Sequence, residues 1–334
     1  VQSKVKILVL GGTHFVGRAF VEVALARKHE LTLFHRGKTG ADLFPEAEHI
    51  RGDRDGDLAK LDSQWDAVVD TCGYFPRVVR ASAEHLAERA HRYLFVSTVS
   101  VYSDLSQPGI NENSPKGVIE NESIEEITAE SYGPLKVLCE KAVEDLFPGR
   151  SMIVRPGLIV GPHDPTDRFS YWPGRALRGG EALAPGRPER RVQFIDVGDL
   201  ANFMLHLLEG GGAGAYNCVR DPHPMGDLLA ACRKSAGGDI YWTWVSDAFL
   251  ENQEVAPWVG LPMWVPDLHS EIGGIFHVDN QRAKDAGFKM RSVEETVART
   301  VDWLRTRPEN YEWKAGPSAE REAELLDSWR RTDS

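Results

Sequence analysis

A doubly wound parallel α/β sheet carrying a smaller C-terminal α/β lobe is the fold class this sequence predicts, on three observations. A short β-branched run at residues 5–10 (VKILVL) closes on Gly11-Gly12 and passes directly into a segment of helical period. Strand-like and helical segments then alternate as far as Arg155, the pattern that sets parallel strands between layers of helices. Beyond it the alternation loosens into a Gly/Pro/Arg-rich stretch and then a Trp/Pro-dense one, so a differently built lobe follows.

Taken in order, residues 5–10 read as a buried parallel strand, because a continuous apolar run ended by a glycine turn suits a strand covered on both faces. Residues 15–26 read as a helix, with Phe15, Val16, Ala19, Phe20, Val23 and Ala24 at helical spacing, and residues 31–34 as the second strand of a βαβ unit. Strands are expected again at 67–70, 93–96 and 152–154, and helices near 78–90 and 131–146, which completes a Rossmann-type sheet. A strand at 192–195, a helix at 197–208 and a strand at 215–218 follow, then amphipathic helices at 225–236 and 292–305. The expected division is a dinucleotide-binding domain over 1–160 that also draws core strands from 190–220, a substrate lobe over 161–314, and a C-terminal helix or tail over 315–334.

Over 334 residues, 39 Lys and Arg face 50 Asp and Glu for a net charge of −11, a balance that works against unselective binding to nucleic acid or an anionic membrane. The four cysteines, Cys72, Cys139, Cys218 and Cys232, show no paired metal-binding spacing, and no histidine pair at helical spacing has a carboxylate partner, so no metal is expected. No apolar run approaches the roughly 20 residues of a membrane helix, and residues 1–6 lead straight into a strand rather than a secretory core. A cytoplasmic location is the expectation.

The turn Gly11-Gly12-Thr13-His14-Phe15-Val16-Gly17 lies between strand and helix, where glycines let the backbone approach a pyrophosphate held at the helix's positive end. His14 stands at the usual middle glycine. About 20 residues on, a site that selects NAD presents an acidic residue to the adenosine ribose. This chain has His35-Arg36-Gly37-Lys38 there, and a guanidinium beside an ammonium attracts a ribose 2′-phosphate. NADP is therefore the expected cofactor, with NAD the alternative. Asp53 and Arg54, in a turn after the third strand, are candidates for the adenine end; Thr71 and Cys72, after the fourth strand, lie where the nicotinamide half would run.

In Tyr132-Gly133-Pro134-Leu135-Lys136 the tyrosine and lysine stand on one helix face, so the ammonium can lower the phenol's pKa and make it a usable proton acceptor. Pro134 is tolerated if that helix begins at about Gly133, since a first-turn N–H has no partner to lose. Upstream, a strand end carries the hydroxyls of Ser97, Thr98 and Ser100.

These motifs, together with Val154-Arg155-Pro156-Gly157, Gly161-Pro162 and Gln193-Phe194-Ile195-Asp196-Val197-Gly198-Asp199-Leu200, resemble the short-chain dehydrogenase/reductase superfamily, in particular its extended branch, the NAD-dependent epimerase/dehydratase family, over roughly residues 4–304. The resemblance implies that Tyr132 takes the proton of a substrate hydroxyl as hydride leaves for the nicotinamide. It implies that Lys136 holds the nicotinamide ribose and tunes Tyr132, that Pro156 borders the cofactor, and that Thr98 hydrogen-bonds the reacting oxygen. Ser97 and Ser100 are further candidates for that last role. The implied reaction is oxidoreduction or epimerisation of a secondary alcohol or ketone, on a nucleotide sugar or related polyol, in a homodimer. Val99-Ser100 stand where nucleotide-sugar dehydratases of similar fold carry an Asp-Glu pair, so dehydration ranks below.

Arg155, Arg168, Arg175, Arg178, Arg187, Arg190 and Arg191 are concentrated in one stretch, either as clamps for a nucleotide diphosphate or as ion-pair partners of Asp164, Asp167, Glu181 and Glu189. Arg191 is the main candidate for substrate, because extended family members bind substrate phosphate beside the strand it precedes. The tryptophans of residues 242–264 read as core of the small lobe, with an apolar wall for an aromatic or acyl substrate as the other reading. The competing function is a non-catalytic NAD(P)-binding or RNA-associated protein, as some atypical relatives are. The net charge and the Thr98, Tyr132 and Lys136 set weigh against it.

Overall fold

The computed structural model describes residues 4–210, 212–266 and 270–332. Residues 1–3 of the N-terminal stretch, 267–269 of the Trp/Pro-dense segment and 333–334 of the C-terminal segment lie outside the described residues.

The first half runs β1 (Lys6–Leu10), α1 (Phe15–Ala26), β2 (Glu30–His35), β3 (Glu48–Arg51), β4 (Trp65–Asp70), α2 (Pro76–Leu86), β5 (Ala90–Val96), α3 (Ala129–Leu146) and β6 (Ser151–Pro156). The second half runs β7 (Ile159–Val160), α4 (Tyr171–Arg178), β8 (Gly180–Pro185), β9 (Arg191–Val192), β10 (Ile195–Asp196), α5 (Val197–Gly210), β11 (Gly214–Cys218), β12 (His223–Pro224), α6 (Met225–Ala236), β13 (Ile240–Val245), α7 (Asp247–Asn252), α8 (Gln281–Asp285), α9 (Val293–Leu304) and α10 (Ala319–Thr332).

Seven strands form one parallel sheet in the order β11-β6-β5-β4-β1-β2-β3. The period of two along β1 divides its side chains between two cores. Ile7 and Val9 join the core that includes Phe20 of α1 and Leu200 and Met204 of α5, while Leu8 and Leu10 join Val79 of α2 and Cys139 and Val143 of α3. Chain connections leave β1 toward β2 on one side and reach β4 on the other, so a crevice opens at the carboxyl ends of β1 and β4.

The strand expected at 192–195 is instead two short strands with different partners. β9 pairs antiparallel with β12, and β10 pairs parallel with β7. Gln193 between them turns its amide inward to the carbonyls of Arg220 and Val278, which breaks the ladder. A separate core forms around Trp172, Phe169, Phe194, Met225 and Trp264, beneath the parallel pair β8 and β13. The C-terminal segment is a helix: Leu325 and Leu326 of α10 enter that core, and its buried Glu322 accepts from Arg175 Nε at 2.6 Å. Among the described residues, no helix is long and apolar enough to cross a membrane, and no three His, Cys, Asp or Glu side chains gather as a metal site.

Candidate active site

The glycine turn supports a dinucleotide by what it leaves out. Gly11 and Gly12 hold φ of +104° and +95°, conformations that L side chains rarely adopt. A Cβ on Gly17 would lie 2.7 Å from the Gly12 nitrogen, so α1 packs against the turn only because that position is bare. His14 caps α1 with no side-chain bond, which leaves the first N–H groups of the helix open to an anion. Thr13 is buried, and Phe15 and Val16 line the cleft beyond. Thr71 and Cys72 sit beneath the turn, both bonded to the Leu10 carbonyl. These features fit a nicotinamide dinucleotide lying across the turn.

Two expected cofactor residues, His35 and Arg54, are placed otherwise. The Gly37 N–H donates to His35 Nδ1 at 3.1 Å, His35 Nε2 stands 2.8 Å from His49 Nδ1, and His49 Nε2 is 3.0 Å from the Phe44 carbonyl. That sequence of donors fixes both rings as neutral tautomers. Burial, then His49 and Arg51, hold the His35 pKa below its ordinary value. His35 therefore faces the sheet edge and sets the turn that leaves Arg36 and Lys38 exposed. Arg54 is spent on Asp70, with two bonds of 2.8 Å, and on Ser82. Asp53 is exposed and accepts from the Asp55 N–H of its own turn.

Thr98, Ser100, Tyr132, Lys136 and Pro156 line one cleft of about 660 Å³, with Phe15 and Val16 at its cofactor end. The helix bearing Tyr132 begins at Ala129, four residues before the Gly133 start expected from Pro134, on a capping box between Thr128 and Ser131. Pro134 is thus inside the helix, and the carbonyl it deprives belongs to exposed Glu130. The adjacent residue explains the docking: a Cβ on Gly133 would lie 2.0 Å from the Ser100 carbonyl oxygen. Bare backbone there lets α3 carry Tyr132 against the turn that presents Thr98.

Lys136 Nζ donates to the carbonyls of Gly73 at 2.6 Å and Val96 at 2.7 Å, and lies 4.1 Å from the centre of the Phe95 ring. Burial brings its pKa down to about 8. Burial raises the Tyr132 pKa, and the groups that oppose that rise are the Thr98 hydroxyl and the Arg168 guanidinium, not Lys136 as the sequence led one to expect, since the buried Lys136 ammonium is turned to the Gly73 and Val96 carbonyls. Ser97 reaches the cleft wall but donates its hydroxyl to Glu140 Oε1 at 2.6 Å, so it is not a free candidate for substrate oxygen. Glu140 in turn is gripped by Arg155 and Lys116, and Arg155 is buried structure rather than a phosphate clamp.

The remaining arginines separate in the same way. Arg175 holds Glu322 and two carbonyls, and Arg190 holds Asp247 and the Val265 carbonyl. Arg191 is exposed in a neighbouring groove of about 380 Å³ with His277, and among the described residues only Phe276 lines both that groove and the cleft. Arg168, which the sequence left among the undifferentiated arginines, is the guanidinium that lines the cleft, with Asp164 and Thr166 of the same loop. Of the tryptophans, Trp264 is buried in the second core and Trp242, Trp244 and Trp258 pack against it, and Trp258 also lines the cleft beside Phe276.

A parallel sheet in this strand order, with a bare glycine turn at its switch point, defines a dinucleotide-dependent protein of the short-chain dehydrogenase/reductase superfamily. The chain belongs to the NAD-dependent epimerase/dehydratase family, which its sequence matches over residues 49–218. Among solved structures it is similar to the UDP-N-acetylglucosamine 4-epimerase from Bacillus cereus, with a TM-score of 0.69 at 16% identity, covering 93% of this chain and 100% of that one. It is also similar to WbmH of Bordetella bronchiseptica in complex with NAD+, with a TM-score of 0.67 at 17% identity over 91% and 99% of the two chains. A third comparison gives 27% identity over 267 residues with the chloroplast stem-loop binding protein of 41 kDa b of Arabidopsis thaliana, covering 70% of this chain and 64% of that protein's length.

Proposed function

We propose that this protein interconverts a secondary alcohol and its ketone on a nucleotide sugar or related polyol, as a net redox reaction or as an epimerisation. The carrying observation is that Tyr132, Thr98 and Lys136 line a single cleft with Phe15 and Val16, the residues that follow the bare glycines of the turn, and with Thr71 beneath it. A bound nicotinamide dinucleotide would supply the hydride acceptor. Tyr132 takes the hydroxyl proton of the substrate, Thr98 holds the same oxygen, and Lys136, its ammonium fixed by the Gly73 and Val96 carbonyls, lines the same cleft and holds the nicotinamide ribose. Exposed Arg36 and Lys38, with no acidic residue at the end of β2, support NADP over NAD. Residues 1–160 serve the dinucleotide and 161–314 the substrate, and a homodimer is the assembly proposed from family resemblance.

Tyr132→Phe tests the reading. It removes the proton acceptor and keeps the ring, so turnover falls by about 10²- to 10⁴-fold while calorimetric NADP and NAD affinities stay the same. Full turnover in that variant overturns the mechanism. The name of the Arabidopsis relative motivates a second reading, binding to a structured nucleic acid. A gel shift with stem-loop RNA that weakens steeply with salt would support it; no shift at low salt would remove it.

A further inference from the structure

Asp164 lines the cleft from the loop after β7 and is only 2% exposed. Its Oδ1 accepts twice, from the Thr166 N–H at 2.8 Å and from the Thr166 hydroxyl at 2.7 Å. Its Oδ2 is buried, and no donor among the described residues reaches it. A carboxylate oxygen withdrawn from water without a donor is costly, so such a group in a cleft marks where a ligand's donor belongs.

The loop does not leave this carboxyl free to turn away. Asp167, three positions on, accepts from Arg307 Nη2 at 2.7 Å, from the Tyr311 hydroxyl at 2.9 Å and from the Lys314 N–H at 3.1 Å. Lys314 Nζ also holds the Pro165 carbonyl at 3.0 Å. Burial raises the Asp164 pKa, opposed by its two Thr166 bonds and then by the Arg168 guanidinium, whose Nε donates to the Thr166 hydroxyl at 3.2 Å and whose charge also opposes the burial-driven rise at Tyr132. An ammonium donor would be opposed by that charge, whereas a hydroxyl would not. The apolar side chains of Trp258, Ile275 and Phe276 offer the cleft's other contacts, suited to the C–H face of a hydroxylated ring.

We propose that Asp164 is a specificity-determining residue whose free oxygen accepts a hydrogen bond from a second substrate hydroxyl, distinct from the one served by Tyr132 and Thr98. The cleft thereby selects diols and higher polyols over simple alcohols and ketones. The inference rests on the reading of Tyr132 as the group that takes the reacting hydroxyl's proton.

Binding is measured by calorimetry on NAD-saturated Tyr132→Phe protein, with and without Asp164→Asn, so that the result does not depend on turnover. The probes are UDP-glucose, glucose 1-phosphate and xylitol, with UDP, inorganic phosphate and 1-pentanol as counterparts lacking the polyol. Asn retains an oxygen for both Thr166 bonds, and an unchanged thermal midpoint verifies folding. The expected result is a loss of about 10- to 100-fold for the polyol that binds, less than about threefold for its counterpart, and unchanged NAD affinity. Equal losses within a pair, no loss, or no binding of any polyol overturns the proposal. A parallel loss of NAD affinity also overturns it, by assigning the donor to the cofactor. If Tyr132→Phe leaves turnover intact while the polyol-specific loss is observed, the hydride mechanism fails and the polyol contact stands; the reverse pattern removes the polyol contact alone.

Discussion

The cofactor end of the cleft and its substrate end are held by contacts of very different range. At the cofactor end the turn itself is shaped within a few residues, by Gly17 against Gly12 and by His35 accepting from the Gly37 N–H, and one longer contact, from the Thr71 hydroxyl to the Leu10 carbonyl of the neighbouring strand, lies beneath it. At the substrate end the loop bearing Asp164, Thr166 and Arg168 is held by Asp167, whose partner Arg307 is 140 residues away in sequence. The guanidinium of Arg307 is itself packed by the rings of Trp303 and Tyr311, 4.1 Å and 3.9 Å from their centres. One end is specified by local conformation, and the other by the return of the chain's last segment. On the proposed function, substrate recognition is therefore sensitive to residues that touch no substrate.

The difference can be broken from either side. Asp167→Ala leaves Arg307 buried without its carboxylate, a loss of about 3–5 kcal/mol by the usual cost of an uncompensated buried charge. The expected outcome is a lower denaturation midpoint and weaker substrate binding with NAD(P) affinity retained; an unchanged midpoint would show that the loop is held by other contacts. Gly17→Ala is the converse. Its Cβ meets the Gly12 nitrogen at 2.7 Å and the Thr71 hydroxyl at 2.9 Å, an overpacking of about 1–3 kcal/mol that displaces the turn. Dinucleotide affinity falls and substrate-end geometry is retained, which calorimetry with each ligand separates.

The same contrast explains what the sequence made legible. The order of strands and helices, the glycine turn and the Tyr132–Lys136 face are local patterns, and α1 and α6 occur at the predicted bounds. Pro134 misled the placement of the α3 start, because a capping box at Thr128 outweighed one lost bond at an exposed carbonyl. His35, Arg54 and Ser97 have the right residue types for ligand contacts, yet each is satisfied by a partner that only the fold supplies: His49, Asp70 and Glu140. Asp164 and Arg168 were visible only as charges in an Arg-rich stretch. What separates Arg168 from buried Arg155 and Arg175 is position relative to the cleft, set for its loop by the Asp167–Arg307 pair 140 residues apart, and no short motif encodes that.

Lys136 sharpens the comparison because it is where the two ends meet, and its expected effect is the smallest of the set. Burial brings its pKa to about 8, below the 10.5 of an exposed lysine, while two carbonyls hold the ammonium in place. Between about pH 8 and 10.5 the unfolded chain keeps this proton and the folded chain has released it, so Lys136's contribution to stability rises with pH across that window. Cofactor binding should move the other way. If the charged ammonium donates to the nicotinamide ribose, NAD(P) affinity is full below about pH 8 and falls by about tenfold above it as that donor loses its charge. Calorimetry and thermal denaturation across pH 7 to 10.5, each referenced to Lys136→Met, would show the two opposed slopes in the native protein and neither in the variant. Affinity and stability that change together would mean that Lys136 acts only through the fold and has no contact with the cofactor.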